Sequence, residues 1–200
     1  MERTQHQLRA VGTRFETREE NETPHITGYF AVFDSLYEID PMMSESIAPG
    51  AFSDSLGGDV RALTNHDTTL VLGRTAAGTL ILREDERGLW GDIAINPNDG
   101  DAMNTYARVA RGDVTQCSIG FDIVREDTEV RPDGHTHWTI RELRLYEVSV
   151  CTFPAYEDTA IQARAKQAAE EKRRALEAWK NRMKEMLNHG PQSPDAPEKA

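Results

Sequence analysis

Three widely separated polar residues are of the types that enzymes use for proton transfer and nucleophilic attack. They are His66 within TNHD, Ser118 within QCSIGF and Glu147 within LYEVSV. A histidine exchanges protons near neutral pH, and a serine hydroxyl attacks carbonyl carbons once a base removes its proton. Each residue also has a common structural explanation, as a turn histidine, a strand serine and a solvated glutamate. Residue type alone therefore does not join them into one site.

Other catalytic and ligand-binding motifs are missing from the sequence. It has no glycine-rich phosphate loop, Cys-x-x-Cys pair, His-Glu-x-x-His or Gly-x-Ser-x-Gly motif. His135 and His137 would share one face of a strand, as two metal ligands can. No third ligand follows at a recognisable spacing, and residues 132–134 (PDG) place the pair at a hairpin tip. We therefore expect neither a metal nor another cofactor.

Composition excludes several protein classes. The 200 residues carry 34 acidic and 23 basic side chains, a formal net charge of −11, which argues against nucleic acid as a partner. No apolar stretch approaches the roughly 20 residues that cross a bilayer, and residues 1–18 lack the apolar core of a signal peptide. We expect a soluble intracellular protein with no membrane partner, in which Cys117 and Cys151 are reduced thiols.

The first four fifths of the sequence have the pattern of short strands separated by turns. The candidate strands are residues 28–33, 60–63, 70–72, 79–82, 89–95, 114–124, 137–145 and 147–153. Turn-forming residues separate them, for example at 57–58, 96–98 and 132–134. Because most gaps are too short for a helix, this spacing favours an antiparallel barrel or sandwich over a βαβ fold.

Three helices are predicted beside the strands. Residues 49–56 could make one or two turns, and residues 99–111 have helical apolar spacing with Asp99 or Asp101 as the N-cap and Gly112 as the stop. A longer, basic amphipathic helix is predicted from about residue 160 to residue 188.

A change in charge predicts the domain organisation. Residues 1–163 have a net charge of −14 and no lysine, whereas residues 164–187 have a net charge of +4. We predict an N-terminal strand or flexible lead over 1–25 and a main domain over 26–163. The basic helix over 164–188 and a disordered Pro-rich tail over 189–200 would follow.

Seven blocks, in a fixed order, resemble the prohead (capsid maturation) protease family of tailed bacteriophages. They are residues 28–33 (GYFAVF), 47–52 (IAPGAF), 65–67 (NHD), 71–75 (VLGRT), 78–80 (GTL), 117–121 (CSIGF) and 147–156 (EVSVCTFPAY). The resemblance extends over about residues 26–164, which is the predicted main domain. It implies a serine endopeptidase with a mainly β fold and flanking helices (α+β), a small closed antiparallel β-barrel similar to the herpesvirus assemblins.

The same resemblance implies three catalytic residues: Ser118 as nucleophile, His66 as base and Glu147 as the acidic member. Imidazole can take the serine proton, and a carboxylate on its other nitrogen can stabilise the resulting charge. Asp67 is an alternative acid, but neighbours on a strand point to opposite faces, so it can serve His66 only if the backbone turns there. Cys117 is an alternative nucleophile, which alternation places on the core side, opposite Ser118.

Strand alternation also predicts the surroundings of these residues. Glu147, Ser149 and Cys151 fall on one face of their strand, so that face is polar and could hold a site. Gly120 shares a strand face with Ser118, where it leaves room for a substrate backbone unless it marks a bulge.

The family resemblance implies cleavage of capsid or scaffold proteins, and of the protease itself, inside the procapsid in the host cytoplasm. Its partners would be the major capsid protein, the scaffolding protein or both, with a homodimer left open. The basic helix and tail would serve packaging into the immature shell. The alternative is a catalytically inactive, scaffold-like capsid assembly module that keeps the family fold.

Overall fold

The computed structural model describes residues 7–12, 15–20 and 23–153. These ranges contain eleven strands, one α-helix and a short 3₁₀ turn at Thr75–Ala77. In chain order the elements are β1 (Gln7–Gly12), β2 (Glu16–Glu20), β3 (Thr23–Val32), β4 (Tyr37–Asp40), β5 (Met43–Ile47), β6 (Arg61–Thr64), β7 (Asp67–Arg74), β8 (Leu80–Glu84), β9 (Gly88–Ala94), α1 (Gly100–Arg111), β10 (Gln116–Val130) and β11 (Thr136–Cys151).

A seven-stranded sheet is built around the long antiparallel hairpin of β10 and β11. β1 pairs with the first part of β10. On the other side of the hairpin, β11 changes partner along its length. Its first part pairs in parallel with β5, and its last part pairs in parallel with β6, which in turn pairs with β7. The hairpin therefore connects two separate groups of short strands within one sheet.

A four-stranded antiparallel sheet, in the order β2-β3-β9-β8, supplies the other half of the core. Phe30 on β3 and Ile93 on β9 are fully buried, as are Ile119 and Phe121 on β10. Close packing leaves room only for glycine at position 91, because a Cβ atom there would lie 2.6 Å from Cε2 of Phe30. Apolar side chains of both sheets thus form one cluster.

Helix α1 follows the sequence prediction. Asp99 is its N-cap, and the carboxylate accepts hydrogen bonds from the backbone N–H groups of Asp101 and Ala102. Gly112 ends it in the left-handed conformation, with φ at 85°. The prediction of a helix over residues 49–56 is wrong. That segment is a series of turns in which N–H groups bond mainly three residues back, and Gly50 has φ at +86°.

The prediction of an α+β fold, with a closed antiparallel barrel and flanking helices, is also wrong. The described residues are mostly strands, and α1 is their one α-helix. The seven-stranded path ends at β1 and β4, the four-stranded sheet ends at β2 and β8, and no strand pairing joins the two sheets within the described residues. The parallel neighbours of β11 contradict a purely antiparallel arrangement as well. Short spacing between strands favours pairing with sequence neighbours, but β11 takes partners from residues 43–47 and 61–64, far away in the chain.

Two further predictions concern the ends of the chain. The long C-terminal helix over 164–188 and the tail over 189–200 lie outside the described residues.

In the part of the chain that the structure describes, no helix is long and apolar enough to span a membrane.

Candidate active site

His66 lies at the tip of the β6–β7 hairpin. Thr64 pairs with Asp67, so Asn65 and His66 are the two central residues of the turn, with φ at 52° and 60°. Positive φ at both central positions matches the right-handed twist of a hairpin and folds the chain back sharply. The turn is attached to β11, because the N–H of Asn65 donates to the carbonyl of Val150 over 3.0 Å. This attachment brings the imidazole to the end of β11.

The side chain of His66 contacts the carboxylate of Glu147 on β11. Oε1 of Glu147 lies 2.6 Å from Nδ1 of His66, and the glutamate is buried. If the carboxylate is ionised, Nδ1 must donate the hydrogen of this bond, and in the neutral imidazole the lone pair then lies on Nε2. This is the arrangement that a general base requires.

Both oxygens of that carboxylate are occupied. Ser149 donates its hydroxyl hydrogen to Oε2 of Glu147 over 2.6 Å. Arg61 is the register partner of Glu147 on β6, but its guanidinium turns to Asp59 instead. The carboxylate is thus bonded to a histidine and a hydroxyl rather than to a guanidinium that would compete with the imidazole.

Ser118 lies on the neighbouring strand, directly opposite Ser149 in the β10–β11 register. Side chains at opposite positions of an antiparallel pair have Cβ atoms about 5 Å apart, so Ser118 is at the same polar face. Its side chain is fully buried, and its Oγ makes no hydrogen bond within the described residues. The structure therefore places Ser118 opposite Ser149, the residue bonded to Glu147, without a hydrogen bond from Ser118 to His66.

Cys151, which strand alternation placed on the same face as Glu147, is a further neighbour of His66. Its Sγ lies 3.9 Å from Nε2 of His66. Burial, together with the negative charge of Glu147, raises the pKa of Cys151 to about 12. The side chain is therefore a neutral thiol, which is a weak hydrogen-bond donor and a poor nucleophile.

The two alternative residues lie elsewhere. The backbone does turn before Asp67, but its carboxylate accepts from the N–H and hydroxyl of Thr69, at 2.8 and 2.6 Å, and is exposed. These hydrogen bonds lower the pKa of Asp67. Cys117 is buried on the core side of β10, with Sγ 3.3 Å from the carbonyl oxygen of Tyr29.

Two further sequence predictions concern Gly120 and the pair His135 and His137. Gly120 lies opposite Glu147 and next to a register shift in which Tyr146 is the extra residue, so the irregularity belongs to β11. His137 is bonded to serine hydroxyls, and the described ranges contain no group of three or more His, Cys, Asp or Glu side chains that could hold a metal ion.

Comparison with known proteins gives the family of the chain. A family model described as caudovirus prohead serine protease matches residues 13–174. The prohead protease of Enterobacteria phage HK97 is 32% identical over 156 residues, which cover 76% of this chain and 67% of that protein. No solved structure matches at a significant level. Because the family model covers residues 13–174, which is most of the chain, the chain belongs to the caudovirus prohead serine proteases.

Proposed function

We propose that this protein is a serine endopeptidase of head maturation, with Ser118 as nucleophile, His66 as general base and Glu147 as the group that orients the base. The observation that carries this proposal is the 2.6 Å contact between Nδ1 of His66 and Oε1 of Glu147, next to the strand position opposite Ser118. The family membership supports the serine type of the mechanism.

The proposed chemistry begins with proton transfer from Ser118. Its Oγ attacks the scissile carbonyl carbon while the hydroxyl proton moves to Nε2 of His66. Glu147 stabilises the imidazolium through Nδ1–H. Nε2 then gives the proton to the leaving amine, and a water molecule releases the acyl group from Ser118 by the same sequence of proton transfers. No step uses a metal or cofactor.

One movement is required before this reaction. Nε2 of His66 lies against the thiol of Cys151, and the hydroxyl of Ser118 is buried. Catalytic hydrogen bonds often form only when substrate is bound. We expect substrate to open access to Ser118 and to bring its hydroxyl to Nε2.

The proposed substrates are structural proteins of the phage head. The relative in phage HK97 is named a prohead protease. We infer that this chain cleaves the major capsid protein, the scaffolding protein or both, and also itself, inside the procapsid in the host cytoplasm. A homodimer is compatible with this proposal, and the segment over 164–188 is proposed to direct packaging.

An inactive, scaffold-like assembly module is the second candidate function. The observation that favours it is the buried Ser118 hydroxyl, which makes no hydrogen bond to His66. Such a module would bind head proteins through the same domain without cutting them.

Coexpression with the cognate capsid and scaffolding proteins separates the two functions. We expect mass spectrometry to find defined cleavage products with the wild type and none with Ser118→Ala. Loss of a triad nucleophile costs on the order of 10⁴-fold or more, which is about 5 kcal/mol or more in the barrier.

The matched control is Cys117→Ala, which changes the adjacent residue on the core side and should leave the products unchanged. Cleavage that continues in Ser118→Ala but stops in Cys117→Ala or Cys151→Ala would refute the assignment of Ser118. Absence of cleavage by the wild type would favour the assembly module.

A further inference from the structure

We propose that Ser149 is a positioning residue that holds His66 and Glu147 in the orientation required for proton transfer. This inference rests on the proposed function. It adds a fourth side chain to the three residues implied by the family resemblance and assigns it a role that does not involve contact with the substrate.

The hydroxyl of Ser149 connects the two members of the acid–base pair. It donates to Oε2 of Glu147 over 2.6 Å and accepts from the backbone N–H of His66 over 3.2 Å. A hydroxyl has one hydrogen and two lone pairs, so donation to the carboxylate leaves a lone pair for the N–H group. Both bonds can therefore form at once.

The bond to Glu147 fixes the plane of the carboxylate. The terminal torsion of a glutamate is broad, so an unrestrained carboxylate can rotate away from its partner. Ser149 occupies Oε2 while Nδ1 of His66 occupies Oε1, which defines the plane through two points. Without the hydroxyl, Oε2 would be a buried acceptor with an unmet hydrogen bond and would draw the carboxylate out of line.

The bond to His66 fixes the turn. His66 has φ at 60°, a conformation that residues with a Cβ atom rarely adopt unless the surroundings hold them. The acceptor for its N–H is a side chain on β11, not a group within the hairpin. The same hydroxyl thus holds the imidazole's backbone and the carboxylate that the imidazole must meet.

Burial and register make this role specific to Ser149. The side chain is fully buried, so solvent cannot easily replace the hydroxyl. It lies opposite Ser118, yet its two hydrogen bonds go to Glu147 and His66. The hydroxyl of Ser118 consequently remains available for Nε2 of His66.

Ser55 provides a matched control. It is also buried, donates to the carbonyl of Leu143 over 2.8 Å and accepts from the N–H of Leu145 over 3.0 Å. It therefore makes one donated and one accepted hydrogen bond, as Ser149 does, but contacts none of the three candidate catalytic residues. Loss of its hydroxyl reports the structural effect of removing a buried serine.

The experiment compares Ser149→Ala, Ser149→Thr and Ser55→Ala in the full chain, with cognate capsid protein as substrate. We expect Ser149→Ala to lower kcat by about ten- to a hundredfold with KM changed by less than about twofold. Ser149→Thr keeps the hydroxyl and should restore most of kcat. Ser55→Ala should lower the melting temperature and leave kcat within about twofold of the wild type.

A second measurement observes the contact without relying on activity. In ¹⁵N-histidine-labelled protein, the Nδ1–H proton of His66, assigned with His66→Gln, should give a downfield resonance. We expect it to shift or broaden in Ser149→Ala and to persist in Ser55→Ala. An unchanged resonance, an unchanged kcat, or failure of Ser149→Thr to restore kcat would overturn the positioning role. If the wild type cleaves nothing, the proposed function fails, and the resonance alone decides whether Ser149 positions His66.

Discussion

A histidine lies near each end of strand β11, His137 on the strand itself and His66 on the β6–β7 turn attached to it, but the partners of the two imidazoles differ. Near the start of the strand, Nδ1 of His137 lies 2.9 Å from the hydroxyl of Ser44, and Nε2 lies 3.0 Å from the hydroxyl of Ser46. At the other end, Nδ1 of His66 lies 2.6 Å from the carboxylate of Glu147, and within the described residues Nε2 contacts the thiol of Cys151 alone, at 3.9 Å.

This difference separates a structural histidine from a candidate base. A hydroxyl can donate or accept, so His137 is satisfied in either tautomer and has no nitrogen left for a substrate. The carboxylate selects one tautomer of His66 and leaves a weakly occupied lone pair. The partners of the two ring nitrogens, rather than the presence of serines nearby, distinguish the two ends.

A third histidine shows that a carboxylate alone does not make a base. Nδ1 of His25 lies 2.8 Å from Oδ1 of Asp92, but Oδ2 of the same carboxylate accepts from Arg18 over 2.5 Å. The guanidinium already compensates the negative charge, so less of it remains to stabilise an imidazolium. Glu147 has a neutral hydroxyl in that place.

The largest expected effect on cleavage comes from comparing alanine substitutions of His66 and His137. His66→Ala removes the proposed base and should reduce cleavage by on the order of 10⁶-fold. His137→Ala should leave cleavage within about threefold and lower the free energy of unfolding by about 1–3 kcal/mol, because the hydroxyls of Ser44 and Ser46 lose a partner. Cleavage assays and urea titrations measure the two effects, and loss of cleavage in a folded His137→Ala protein would contradict the comparison.

The next effect concerns the carboxylate. Glu147→Gln keeps the shape of the side chain but no longer selects the tautomer of His66, so cleavage should fall by on the order of 10⁴-fold. Asp67→Asn alters the acid next to His66 in sequence and should change cleavage little, because that carboxylate bonds to Thr69. If Asp67→Asn is the more damaging of the two, Asp67 rather than Glu147 is the acid.

The smallest effect concerns the thiol at Nε2. In a Cys117→Ala background, Cys151→Ala should change cleavage by less than about threefold. Because burial and Glu147 raise the pKa of Cys151 from its ordinary value of 9.0 to about 12, its alkylation at pH 8 should be on the order of 10³-fold slower than in urea-unfolded protein.

The pH dependence of stability has a definite sign. Below about pH 9 the thiol of Cys151 is protonated in both the folded and the unfolded chain. Between about pH 9 and 12 only the unfolded chain loses this proton, so the contribution to stability declines as the pH rises. In Cys151→Ala that part of the decline should be absent, and urea titrations at pH 8 and 10 measure it. Rapid alkylation of the folded protein at pH 8 would contradict the raised pKa.

Local features of the fold were predictable from the sequence, whereas strand partners were not. Asp99 and Gly112 bound α1 through contacts within a few residues, and strand alternation placed Glu147, Ser149 and Cys151 on one face. The parallel pairing of β11 with β5 and β6 joins distant segments, for which short-range patterns hold no information. The barrel prediction failed for that reason.

In the candidate site, too, local features were predictable and long-range contacts were not. His66, Ser118 and Glu147 were selected by a family resemblance, and their catalytic roles remain a prediction. Ser149 could be placed on a face, but its bonds depend on the left-handed turn at His66 and on the β6–β11 register. An Asn-His turn without glycine gives little sign of that conformation. The contact between Cys151 and His66 likewise could not be predicted without the turn conformation and the β6–β11 register.

The parallel placement of β6 beside β11 has a consequence for the order of events during synthesis. His66 is made 81 residues before Glu147, and among the described strands β6 pairs with β11 and β7. A growing chain that ends before β11 therefore lacks both the carboxylate and the strand to which the histidine turn is attached. Because pairing of distant strands is slow relative to local folding, the proposed activity arises late. The ribosome-bound chain would thus be unable to cut itself or its neighbours before its own domain is complete.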